Sequence, residues 1–212
     1  MFLNIVEFKK FLKNAYKGSG LIVGVLGHNL VLMNASSAWG VQMKEEHVSN
    51  KLKSVLVELI GDIPKEGEIY NFQQDSSQAE LDLGRFDFQE MWKEAFDFAE
   101  RTPFILQHSC EEYALMQLHS TMEMRPILRK FVDMISAKDL DHSVEEMPGR
   151  PSVRGGVLFW KNAAMIYWAG MYRMSEDMEE IVLPRLSFLD CFKKTLTLRE
   201  DMFSIGEGED EE

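Results

Sequence analysis

The densest group of side chains able to hold a metal or move a proton is His108, Cys110, Glu111, Glu112 and His119. On a helix, His119 and Glu123 would lie one turn apart and could share a ligand. Zinc needs three or four donors converging at fixed spacing, and His-x-Cys with a lone later histidine fits no standard frame. A partly buried strand–helix junction accounts for the same residues without a metal. A thiolate nucleophile needs a nearby base and an electropositive setting. The glutamates after Cys110 push its thiol the other way, and Cys191 lies beside Phe192. Both cysteines are therefore expected to be buried structural residues.

Arg150 and Arg154 flank Pro151 ahead of Gly155–Gly156. Two arginines on a loop could clamp an anion, although surface loops commonly carry such pairs. Were a small-ligand or catalytic site assembled from scattered residues, its members would be His108, Glu112, His119 and Arg154. The chain has no phosphate-loop motif and no G-x-S-x-G elbow. Its adjacent acids, such as Glu45–Glu46 and Glu179–Glu180, read as solvated faces, since a general acid needs a desolvated carboxyl.

Two features point to association. Lys9, Lys10, Lys13 and Lys17 fall largely off the apolar stripe Ile5, Phe8, Leu12, Tyr16, so one helix carries a basic outer face. No arginine precedes Arg85, so this face supplies point charges and not bidentate readout. The second feature is an aromatic hairpin in GVLFWKNAAMIYWAGMYR. With Lys161–Asn162 at its turn, Trp160 pairs near Ala163 and faces the core. Trp168 and Tyr172 are then expected to serve a partner.

The elements that must position these groups follow from caps and periods. Asn4 opens the lysine helix and Gly18 closes it. Strands follow through Leu21–Asn34, broken at Gly27–Asn29, with a third through Trp39, Val41 and Met43. Ser49 opens a helix on Leu52, Val55, Leu56 and Leu59, closed by Gly61. A second hairpin uses Ile69 and Phe72, then Ala79, Leu81 and Leu83. Asp87 and Glu90 cap a helix expected over 87–100, ended by Pro103. Residues 104–122 fit helix or strand, and Pro126 suits the first turn of a helix through Ile127, Leu128, Phe131 and Ile135. Leu186, Leu189, Phe192 and Leu196 form a last amphipathic helix.

Strands arriving as antiparallel hairpins between helices give an α+β fold, antiparallel β-hairpins packed against amphipathic helices. Residues 1–136 form one helix–hairpin–helix unit and 137–155 a linker or long loop. Residues 156–205 complete the same fold or form a small lobe, and 206–212 are a disordered acidic tail. With 45% hydrophobic and 27% charged residues in 212, the composition is that of an ordinary globular protein. Two cysteines are too few for a disulfide framework. No apolar run approaches a bilayer span and no signal-peptide pattern opens the chain. A cytoplasmic protein that uses no membrane and no cofactor is expected.

The formal net charge is -12, yet residues 1–60 hold seven lysines against four acids. A chain so polarised can orient toward a charged partner. The order of the first 85 residues is a lysine-faced helix, strands, a second helix and two more strands. It looks like the order in one domain of a DNA sliding clamp, over less than half of the chain. The resemblance implies a processivity factor that meets DNA through its basic first helix. The second half departs from it, because the helix expected at 87–100 is acidic where a clamp would be basic. No residue pattern specifies a reaction, so the expected function is non-enzymatic. The protein would bind another macromolecule, or itself, through a sheet face or hairpin.

Overall fold

Helix α1 (Ile5–Lys17) begins where Asn4 Oδ1 accepts the N–H groups of Val6 and Glu7 at 3.0 and 3.4 Å. It buries Ile5, Phe8, Leu12 and Ala15, of which the larger three each contribute about 1.5–3 kcal/mol. Strands β1 (Leu21–Leu26), β2 (Asn29–Asn34) and β3 (Trp39–Lys44) follow as an antiparallel meander. Gly27 and His28 both take positive φ at the first turn, as a tight two-residue hairpin requires. Ser49 Oγ accepts the Leu52 N–H to cap α2 (Asn50–Ile60). Strands β4 (Glu68–Phe72) and β5 (Ala79–Glu80) make the second hairpin. The computed structural model describes residues 1–82, 87–143 and 145–192. Leu83, Leu196 and the tail 206–212 lie outside the described residues.

The second half departs from the reading of its sequence in several places. The helix expected over 87–100 is only α3 (Phe88–Lys93), capped by Asp87, and residues Asp97–His108 are strand β6. Pro103 sits inside β6 because the ladder shifts register between Arg101 and Ile105, and a bulge tolerates a residue without an N–H. There Thr102 Oγ1 donates to the Leu115 carbonyl and accepts the Phe104 N–H, so a hydroxyl fills the gap in the ladder. The ambiguous stretch 104–122 resolves as the end of β6 and as β7 (Glu111–Leu118). Its turn holds Ser109 and Cys110 at positive φ with Cys110 exposed, so this cysteine is not the buried residue expected.

Pro126 opens no helix. It lies in β8 (Met124–Leu128), an edge strand where a missing N–H is tolerated, and α4 (Arg129–Asp133) starts after it. Residues 137–155 carry a 3-10 turn at Ala137–Asp139 and strand β9 (Ser152–Arg154). Between them Glu145 Oε2 pairs with the buried α-amino group of Met1 at 2.8 Å. The aromatic hairpin is β10 (Val157–Lys161) and β11 (Met165–Gly170), and its turn is centred on Ala163–Ala164, two residues later than the expected Lys161–Asn162. Asn162 Oδ1 accepts the N–H groups of Ala164 and Met165. Trp160 therefore lies opposite Tyr167, not Ala163, and Phe159 lies opposite Trp168. A π turn (Met178–Val182) leads into α5 (Leu183–Leu186), so Leu189 falls after the helix expected to contain it.

Among the described residues all eleven strands form one sheet in the order β5-β4-β1-β2-β3-β11-β10-β9-β6-β7-β8, every ladder antiparallel. The fold is α+β. One face carries Leu21, Val23, Leu32, Val41, Trp160 and Tyr167 beneath α1, α2 and α4. Tyr167 is wholly buried and donates its hydroxyl to the Phe131 carbonyl at 3.0 Å; burial pushes its pKa well above the ordinary value. The opposite face carries Ile22, Val31, Met33, Phe159, Ile166 and Trp168 under Phe88 of α3. No described helix is long and apolar enough to cross a membrane.

Candidate functional site

Helices α1 and α2 pack side by side on one face of the sheet. Their apolar stripes point down, so their outer surface keeps the polar residues of both. Six lysines stand there: Lys9, Lys10, Lys13 and Lys17 of α1, with Lys51 and Lys53 of α2. Glu58 of α2 lies between two of them, 2.9 Å from Lys9 Nζ and 3.0 Å from Lys13 Nζ. Glu7 pairs with Lys10 at 2.8 Å, one turn along the same helix, and Asp139 Oδ1 stands 3.8 Å from Lys51 Nζ. Lys17 and Lys53 have no ion-pair partner among the described residues. Six cations against three carboxylates leave this layer positive on an acidic chain.

Hydrogen bonds from Lys9 and Lys13, then their charges, hold the Glu58 carboxyl down at about 2. Glu58 is thus an anion at any pH where the protein is used. A depressed carboxylate stabilises the fold fully above its unfolded value of about 4.3, and loses that contribution as pH falls through its folded one. For an exposed pair the contribution is small. A carbon-13 NMR titration should therefore show the Glu58 carboxyl still ionised at pH 3, where ordinary glutamates have taken their proton. A midpoint near 4.3 would mean that the bridge does not form in solution.

The four residues considered for a scattered ligand site do not converge. His108 lies opposite Glu111 at the closed end of the β6–β7 hairpin. Glu112 accepts from Arg129 Nη1 at 2.8 Å, and Arg129 also bonds Asp133. His119 follows the other end of β7, roughly 25 Å along the strand at about 3.3 Å per residue. There it stacks on Phe98 with ring centroids 4.1 Å apart, and Phe192 meets it edge-on. Arg154 is paired with Glu94, and Arg150 with Glu100 at 2.6 Å. The two loop arginines are committed to different carboxylates and form no clamp.

Trp168 and Tyr172, considered for a partner surface, also separate. Trp168 is only 4% exposed and meets Phe88 edge-to-face at 5.7 Å. Sequence alternation indicated an aromatic on this second face; it gave no sign that α3 would cover it. Tyr172 is half-exposed and packs on Tyr113 at 4.9 Å, and its N–H donates to the Pro126 carbonyl. Trp168 has close quarters below as well. It lies opposite Gly40, where a Cβ would overlap the indole Nε1 and Cε2. Its Nε1 and the nearby Gln42 Oε1 are buried without a hydrogen-bond partner among the described residues. Beside them an apolar hollow of about 480 Å³ is lined by Ile22, Met33, Phe88, Met91, Val157 and Trp168.

One donor group was invisible in the sequence. His28 Nδ1 lies 3.7 Å from Glu45 Oε2 and 3.9 Å from Glu66 Oε2, with all three donor atoms within 4.8 Å of one another. The Gly27 and His28 N–H groups donate to Glu66 at 2.7 and 3.0 Å and fix its carboxylate beside the hairpin turn. These donors could hold a divalent metal. All three are exposed, and a protonated His28 would itself be the cation between the two carboxylates. No family model matches this chain, and a search of the curated proteins finds no match either.

Proposed function

We propose that this is a non-enzymatic interaction protein that turns its α1–α2 layer toward the phosphate backbone of a nucleic acid. The observation that carries the reading is the gathering of six lysines on two adjacent helices of a chain whose net charge is -12. Acidic surroundings repel a polyanion from the rest of the molecule, so the same charges that oppose binding elsewhere orient it here. Lysines without arginines favour backbone contact over base reading. A clamp-like processivity factor would use the same face. The aromatic hairpin is not part of this face: Trp160 and Tyr167 lie in the core beneath the helices, and Trp168 packs against Phe88.

Fluorescence anisotropy with a short DNA duplex tests the proposal. Affinity should fall steeply between about 50 and 200 mM salt, with a log–log slope near -0.9 for each phosphate neutralised. Reversing Lys10 and Lys17 to Glu should weaken binding by about tenfold or more, and exposed charges contribute little to stability, so the melting temperature should hold. Salt-independent binding, or none to any duplex, would sink the reading. Preference for an acidic peptide at equal salt would assign the face to a protein partner instead.

A further inference from the structure

We infer that Glu58 is an internal competitor for the polyanion, occupying the place of one phosphate between Lys9 and Lys13. The inference rests on the nucleic-acid reading of the α1–α2 layer and names how that site is regulated. A carboxylate within 2.9 and 3.0 Å of two ammonium groups makes the contacts a phosphate oxygen would make. It comes from the neighbouring helix, so it closes the two lysines across the inter-helix seam. Its depressed pKa keeps the competitor charged. Its side chain is 53% exposed, so it can swing aside without disturbing the packing of Leu52, Val55 and Leu56 beneath it.

Glu7 supplies the comparison. It carries the same charge on the same layer, yet it engages Lys10 alone, three residues along its own helix. Glu58→Gln and Glu7→Gln therefore change the net charge equally and release different numbers of lysines. If Glu58 is the competitor, its removal frees two cations at once where the loss of Glu7 frees one. An incoming strand then meets Lys9, Lys13 and Lys17, one turn apart along α1, with no carboxylate between them. In the unmodified protein it must first displace a carboxylate from the middle of that row. Polyanion binding is thus held back by an intramolecular contact that a phosphate can exchange with.

Duplex affinity and its salt dependence, measured side by side for wild type and the two variants, decide the matter. Glu58→Gln should tighten binding about fivefold to tenfold and steepen the salt slope by about 1–2 units, against about half that steepening for Glu7→Gln. Equal gains from both variants would overturn the inference, since net charge alone would then govern binding. No gain from Glu58→Gln in a protein that binds duplex with normal salt dependence would also overturn it, leaving the nucleic-acid reading intact. Absence of duplex binding in wild type and both variants would defeat both. Melting temperatures of the variants, expected to match wild type, guard against a folding defect.

Discussion

Trp160→Ala and Trp168→Ala are each expected to lower the unfolding free energy by about 3–5 kcal/mol, the usual range for emptying a buried tryptophan site. The two side chains sit on opposite faces of the β10–β11 hairpin, so each removal empties a different core. Trp160 is 4% exposed and stacks on Tyr167 at 5.4 Å. Trp168 is equally buried and packs against Phe88. A domain holds only about 5–15 kcal/mol in all, so either variant should unfold at far lower urea concentration. Circular dichroism is the proper probe, because the substitutions remove fluorophores. A Trp168→Ala protein as stable as wild type would mean that the second face is open, restoring the hairpin as a partner surface.

Gly40→Ala should cost about 1–3 kcal/mol, although it adds a single methyl group to a strand. The new Cβ would overlap the Trp168 indole, whose other side packs edge-to-face on Phe88. The decisive measurement is the double-mutant cycle. In a Trp168→Leu background the indole is gone, and Gly40→Ala should become nearly neutral. Contacting residues show coupling energies of about 0.5–3 kcal/mol, while independent sites add. Strict additivity between positions 40 and 168 would show that the penalty belongs to the backbone of β3 and not to the indole.

The helix starts at Asn4, Ser49 and Asp87 were legible because a capping side chain acts on N–H groups within three residues. The first meander was legible for the same local reason, through alternation and a turn glycine. What failed required knowledge of partners. Pro103 reads as a helix stop until one sees that Thr102 supplies the missing ladder bond. Pro126 reads as a helix start until its strand proves to be the sheet edge. Ser109–Cys110 lacks the Asn-Gly chemistry that announces a tight turn, so the exposure of Cys110 was hidden. The lysine row was written in the period of α1, but Glu58 is 45 residues from Lys13. Only helix packing brings them together. The meeting of His28, Glu45 and Glu66 has no spacing rule at all.

The seam between β3 and β11 has a consequence for how this chain is made. It pairs Trp39 with Ala169 and Met43 with Met165, residues more than 120 positions apart. While the ribosome is still adding the intervening segments, β3 has its β2 neighbour and lacks the other. For that interval the emerging first half offers an open ladder edge bearing Trp39, Val41 and Met43, a template for strands of other nascent chains. Translation stalled before Met165 leaves that edge exposed. Completion of the last hairpin closes it, so late synthesis of β11 acts as the chain's own protection against aggregation.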